Sequence, residues 1–177
     1  VVLYDSAEAL LAACDPGIAG CVVLDLNLPG ASGLQLQEQL AAHGCAIPIV
    51  FLTGHGHVAD GVRAMKLGAV DFLEKPVDDE ALLAAVASAL ERDTATRREH
   101  RDLAALQARV ALLTPREHEV WLEVVRGRLN KQIADDLHIA ERTVKAHRAR
   151  VMEKLQANST ADLVRMAVRL DRSREDH

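Results

Sequence analysis

Three residues in the first half of the chain could carry out phosphoryl chemistry together. Asp25 closes the apolar run CVVLD, Thr53 closes IPIVFLT, and Lys75 follows AVDFLE. A carboxylate can act as nucleophile, a hydroxyl can hydrogen-bond phosphoryl oxygens, and an ammonium can neutralise their charge. Each residue alone is a weak signal, since a strand-terminal aspartate is more often a turn former and a threonine more often a cap. In this order, one strand and one helix apart, the three are far more specific. A second chemistry-bearing stretch is LNKQIADDLHIAERTVKAHRARVMEKL (129–155), two helical patterns joined by a short turn, the second rich in cations.

The elements that position the first trio alternate in type. VVLY (1–4) has strand character. Ser6 caps the helical stretch DSAEALLAAC, with Ala9, Leu10 and Ala13 on one face and Pro16-Gly17 at its end. CVVLD is apolar on both faces, as a covered parallel strand requires. After the loop LNLPGASG come a helix over 33–43, the run IPIVFL (47–52), the loop GHGH, the helix VADGVRAMKLG, the strand AVDFLEKP (69–76) and a helix opened by Asp78 and Asp79. Strand–helix alternation with short connections predicts a doubly wound parallel sheet. In such sheets function sits at the carboxyl ends of the strands, where Asp25, Thr53 and Lys75 fall.

Composition narrows the class. A chain of 177 residues with net charge -5 accommodates one large domain or two small ones. Acids outnumber cations up to residue 113, whereas cations have a slight excess beyond it, so only the second half is suited to a polyanion. No apolar run approaches a membrane span and no signal segment opens the chain, which places the protein in the cytoplasm. Cys14, Cys21 and Cys45 are odd in number and lie in apolar surroundings, so they read as buried reduced thiols. His55 and His57 flank a glycine after Thr53, but lack companion ligands and read as loop residues rather than a metal site.

The motifs VVLDLNLPGASG, IVFLTGHG and AVDFLEKP resemble those of bacterial response-regulator receiver domains of the NarL/FixJ group, which have a flavodoxin-like parallel sheet. The resemblance implies that Asp25 accepts phosphate from a sensor histidine kinase. It also implies that Thr53 and Phe72 form a switch pair, and that Lys75, joined by a cis bond to Pro76, pairs with the phosphate. In that family a first strand ending in an acidic pair, followed by a helix, precedes the strand corresponding to VVLY. The pair and the phosphoacceptor hold Mg²⁺. That segment is absent from these residues, so the Mg²⁺ expected of a complete receiver has only Asp25 of its usual ligands here. The start at Val1 favours a fragment over a receiver built without the strand.

Residues 91–102, ERDTATRREHRD, are almost wholly polar without glycine or proline, and predict a solvated helical connector. Leu103, Leu106, Val110 and Leu113 then form a heptad seam of under two heptads, compatible with a dimerising helix or with packing on the chain's own domain. Thr114-Pro115-Arg116-Glu117 is a helix start with a hydroxyl cap, a proline at the first position and an acid three residues after the cap. Asn130 reads as the cap of KQIADDL. Along the helix from Arg142 to Leu155, Val144, His147, Val151 and Leu155 share one side, with Arg148 and Met152 at its margin. Arg142, Lys145, Ala146, Ala149, Arg150 and Glu153 share the other. Small residues permit close approach and long cations reach bases or phosphates, which suits a major groove. His147 reads as packed and backbone-reaching, and the final stretch TADLVRMAVRL as amphipathic.

Residues 114–170 closely resemble the LuxR-type helix-turn-helix of the same regulators. That match places Lys145, Ala146 and Ala149 facing bases. Lys131, Thr143, Arg150 and Lys154 would contact the DNA backbone, with Arg148 reaching a phosphate from the core margin. In the family the last helix dimerises; here, packing on its own domain is the equal alternative.

The organisation expected is therefore a receiver over 1–90, a helical linker over 91–113 and an all-α, four-helix DNA-binding domain over 114–177. The function expected is that of a dimeric, phosphorylation-controlled transcription factor and not an enzyme. The first alternative is a phosphorylation-independent regulator with an incomplete receiver. The second is an aspartate-nucleophile phosphatase, disfavoured because Asn27 stands where a second acid is needed.

Overall fold

The computed structural model describes residues 1–15, 17–28, 32–54 and 58–175. Pro16, His55 and His57 lie outside the described residues. The chain divides into two compact units, 1–98 and 99–177.

In the first unit, three parallel strands, β1 (Val22–Asp25), β2 (Ile49–Thr53) and β3 (Asp71–Glu74), lie in the order β1-β2-β3. Side chains alternate across β2, so Ile49 and Phe51 face one layer and Val50 the other. Helices α1 (Ala7–Ala13), α2 (Gly33–Ala42) and α3 (Val58–Lys66) lie on the Phe51 side, around a core that includes Leu24, Leu36, Leu40 and Ala64. Ala85 and Ala89 of α4 (Asp79–Ala111) join Val50 in a second cluster against the opposite face. Cover on both faces explains why β2 is apolar from Ile49 to Leu52.

Four expectations are corrected here. VVLY forms no strand: Val1, Val2 and Leu3 are exposed and residues 1–4 pair with nothing in the sheet. A parallel strand exists only beside a neighbour, and β1 is the edge of the described sheet. The helix after Ser6 buries Ala7 and Leu10, not Ala9. Cys14 and Cys45 are joined in a disulfide, their Cα atoms 6.5 Å apart, although 31 positions separate them. Close packing of the α1 and α2 ends brings them together, which spacing alone conceals. Cys21 remains a thiol, its pKa pushed up by burial and, less, by the Asp93 carboxylate. Lastly, the polar connector is helical as expected, but Asp93 within it is buried. It accepts from the Gly20 amide at 3.1 Å and pairs with Arg97 at 3.0 Å.

The second unit holds the end of α4 and four further helices, α5 (Pro115–Val125), α6 (Asn130–Leu137), α7 (Glu141–Leu155) and α8 (Thr160–Glu175). Thr114 and Glu117 reciprocally cap α5. Val120, Trp121, Ile133, Val144, Val151, Leu155 and Leu163 form the core. The linker seam is used within the unit: Leu106 is buried, and Val110 and Leu113 pack against this core. Likewise α8 turns Leu163 and Ala167 inward while Val168 stays exposed. Among the described residues no helix is long and apolar enough to cross a membrane.

Gly33 opens α2 directly beneath the end of β1. A Cβ there would stand 2.7 Å from the Asp25 carbonyl oxygen and 3.0 Å from the Phe51 ring. Gly33→Ala is therefore expected to destabilise the first unit by roughly 1–3 kcal/mol, read by urea unfolding; unchanged stability would show that the strand end yields freely.

Candidate phosphoacceptor site and nucleic-acid interface

The sheet brings two of the three candidate residues into contact and sets the third beside them. The Lys75 ammonium lies 2.6 Å from Asp25 Oδ2. The Asn27 amide donates to Asp25 Oδ1 at 2.9 Å. Both side chains are partly exposed, as a group reached by a partner must be. Backbone bonds to β2 fix the pair: Leu26 donates to the Leu52 carbonyl at 2.8 Å, and Lys75 donates to the Thr53 carbonyl at 2.7 Å. The Lys75–Pro76 peptide is cis. The Lys75 hydrogen bond holds the Asp25 carboxyl below the usual carboxylate range, opposed by partial desolvation and aided by Asn27.

Thr53 differs from its neighbours in being fully buried, and no described group hydrogen-bonds its Oγ1. Phe72 is half-buried, its ring 6.4 Å from that of Phe51 and inclined at 48°. A Cβ on Gly61 of α3 would touch that ring at 3.3 Å, so the glycine leaves it close but unclashed.

A Mg²⁺ ion is typical of receivers. Among the described residues no three of His, Cys, Asp and Glu are grouped to hold a metal ion. At the strand ends the described contacts give a single carboxylate already paired with an ammonium. That donor set does not make a Mg²⁺ site by itself, since a hard dication seeks oxygen ligands.

In the second unit, α7 presents Arg142, Lys145, Ala146, Ala149 and Arg150 outward, while Val144 and Val151 are buried. Lys145 lies 3.4 Å from Glu141, one turn back, and its side chain is 65% exposed, leaving it able to reach a ligand. Lys131 on α6 is exposed and Thr143 half-buried. Two cations expected at the DNA backbone are turned inward instead. Lys154 donates to Glu117 Oε2 at 2.6 Å and to the Leu112 carbonyl at 3.0 Å. Arg148 donates to Asn130 Oδ1 at 2.7 Å and to Thr160 Oγ1 at 3.3 Å. Asn130 is the first residue of α6 rather than its cap, and Gln132 instead accepts from the Leu129 amide at 2.9 Å. His147 is half-buried, and its Nδ1 is buried without a described partner.

Glu117 was legible as a capping acid, but its larger role was not. Its carboxylate is buried and accepts from both Lys154 and the Thr114 amide. These contacts, Lys154 foremost, bring its pKa down to about 2. No local spacing announces a partner 37 positions away.

The comparisons agree with this architecture. Residues 1–87 match the response regulator receiver domain, and residues 111–167 match the bacterial regulatory proteins of the luxR family. The chain belongs to the two-component response regulators that join a receiver to a LuxR-type DNA-binding domain, and its role is transcription regulation controlled by phosphorylation. It is 48% identical to Nodulation protein W of Bradyrhizobium diazoefficiens over 94% of this chain and 74% of that protein. It is 45% identical to the transcriptional regulatory protein FixJ of the same organism, over 96% of this chain and 82% of that one. Among solved structures, the response regulator StyR superposes with a TM-score of 0.81 at 44% identity, over 93% of this chain and 83% of that one.

The depressed pKa of Glu117 sets a pH dependence. The unfolded carboxyl titrates at about 4.3, so the contribution of this group to stability is complete above that pH. It is lost as pH falls towards the folded value of about 2. Glu117→Gln is expected to lower the neutral-pH stability of the second unit by roughly 1–3 kcal/mol and to flatten its decline between these pH values. Circular dichroism melts at several pH values test this; parallel stability curves for the two proteins would refute it.

Proposed function

We propose that Asp25 is the phosphoacceptor of this regulator, with Lys75 as its charge partner and Thr53 and Phe72 as the switch. The observation that carries this reading is the 2.6 Å contact between Lys75 and Asp25 at the carboxyl edge of the sheet. An Asp25 oxygen attacks the phosphorus of a phosphohistidine on a sensor kinase. The new P–O bond forms as the P–N bond breaks, and the imidazole leaves with that electron pair and takes up a proton from solvent. The transferred group adds ~1.5–2 negative charges to the strand end, and Lys75 is placed to offset them. The Thr53 hydroxyl gains a phosphoryl oxygen to bond, and Phe72 follows into the space it leaves. The face of α3 and β3 then changes, favouring a homodimer; exposed Val62, Met65 and Leu67 supply apolar surface there.

On this reading residues 1–90 act as receiver, 91–113 as linker and 114–177 as DNA reader, in a cytoplasmic regulator. Lys145, Ala146 and Ala149 face bases, Ala146 and Ala149 contacting thymine methyls, and Lys131, Thr143 and Arg150 hold the phosphate backbone. Exposure of Lys145, Ala146 and Ala149 on one side of α7 supports this. Lys154 and Arg148 are better assigned to holding α7 than to DNA.

A phosphodonor assay with a radiolabelled small acyl phosphate, run with and without Mg²⁺, tests the first part. Stable stoichiometric label on the unchanged chain, absent from Asp25→Asn, is the expected result. No label would favour phosphorylation-independent regulation. For the second part, Lys145→Ala is expected to relax preference at one base position by ~1–3 kcal/mol in a library selection, and an unaltered sequence profile would remove Lys145 from the base-reading set.

A further inference from the structure

Helix α7 ends at Leu155, where the last carbonyls of any helix lack intrahelical partners and carry partial negative charge. A guanidinium from α4 meets that end. Arg109 Nη1 donates to the Leu155 carbonyl at 3.2 Å and to Gln156 Oε1 at 3.2 Å. Its neighbours in sequence, Val110 and Leu113, pack against the core containing Val151 and Leu155. Three residues beyond Arg109, the Leu112 carbonyl accepts from Lys154 on the final turn of the same helix. Arg109 of α4 and the Leu112 carbonyl just beyond that helix thus both hold the end of α7.

We propose that Arg109 is a positioning residue for DNA recognition, holding the end of α7 so that Lys145, Ala146 and Ala149 meet the bases at the correct rotation of the helix. The proposal rests on the reading of α7 as the base-contacting helix. At the other clamp, Arg148 ties α7 to Asn130 of α6 and Thr160 of α8. Without Arg109 the Leu155 end of α7 keeps the Lys154 bonds and the buried Val151 and Leu155 but loses the grip on its last carbonyl, and even a small roll displaces a long side chain such as Lys145 from its base edge. On this proposal Arg109 acts through α7 and not on DNA directly. Its removal therefore costs sequence discrimination and leaves the phosphate attraction intact.

The test uses the full chain with two probes: the tightest duplex recovered from a random library by the unchanged protein, and a scrambled duplex of equal length. Arg109→Ala is expected to weaken the selected duplex about tenfold, about 1.4 kcal/mol, with little change for the scrambled duplex and the same salt dependence. A repeat selection is expected to show preference relaxed at the base position that Lys145→Ala relaxes, and Arg109→Lys is expected to recover part of it. Binding is measured at a temperature where circular dichroism shows each variant folded. If Arg109→Ala does not fold, Gln156→Ala, which removes one acceptor of the clamp, is expected to give a smaller loss at the same position. No loss in the variant that folds overturns the proposal. Equal weakening of both duplexes with a flatter salt dependence also overturns it, by making Arg109 a phosphate contact. Should Lys145→Ala change nothing, the base-reading assignment of α7 fails, and the role of Arg109 falls with it. A sensitive Lys145 with an insensitive Arg109 sinks this proposal alone.

Discussion

Parallel register is the constraint on which the receiver depends. Asp25 and Lys75 come from strands that never touch, because β2 lies between them. Their side chains meet only because β2 fixes both neighbours at its own end, through the Leu52 carbonyl on one side and the Thr53 carbonyl on the other. A slip of one residue would turn each side chain to the opposite face. The burial of Ile49, Val50 and Phe51 on the two faces of β2 makes such a slip costly. The apolar strand is therefore what sets the geometry of a polar site.

In the second unit, polar side chains perform the corresponding task for a helix. The cations of α7 divide by direction: Arg148 and Lys154 reach inward to named partners, whereas Arg142, Lys145 and Arg150 remain exposed. The inward contacts are favourable because their partners are themselves organised. Glu117 is held by its capping bond to Thr114 before Lys154 adds a charge, so the lysine meets a pre-oriented carboxylate. A capping box that starts one helix thereby also anchors the end of another. The basic character of the stretch 142–154 is shared between fixing the helix and presenting it.

Local patterns in the sequence revealed the elements well and their distant partners poorly. Alternation of apolar runs with capped helical stretches located β1, β2, β3 and the helices, and the order of Asp25, Thr53 and Lys75 marked the strand ends. Periodicity also separated Val144 and Val151 from Lys145 and Ala149. The larger failures concern contacts that no short window contains. VVLY has strand composition but no neighbour, the Cys14–Cys45 pair spans 31 positions, and Glu117 finds Lys154 across 37. Asp93 stands in a polar run that reads as solvated, yet it is buried because a loop amide at Gly20 needs an acceptor. Side chains such as Lys154 and Arg148, long enough to turn either way, have directions set by partners rather than by periodicity.

Thr53 combines full burial with a hydroxyl that no described group satisfies. A buried hydroxyl without a partner costs about 1–3 kcal/mol relative to one that is satisfied, and no described group bonds its Oγ1. Thr53 continues the buried face of β2 beyond Phe51. On the proposed reading, a phosphoryl group on Asp25 offers the hydroxyl an acceptor, so the cost becomes part of the drive for the switch. Phe72 is suited to respond: it is only half-buried, inclined to Phe51 without stacking on it, and bordered by a glycine rather than a side chain at position 61. A larger residue at 61 would wedge the ring in one place.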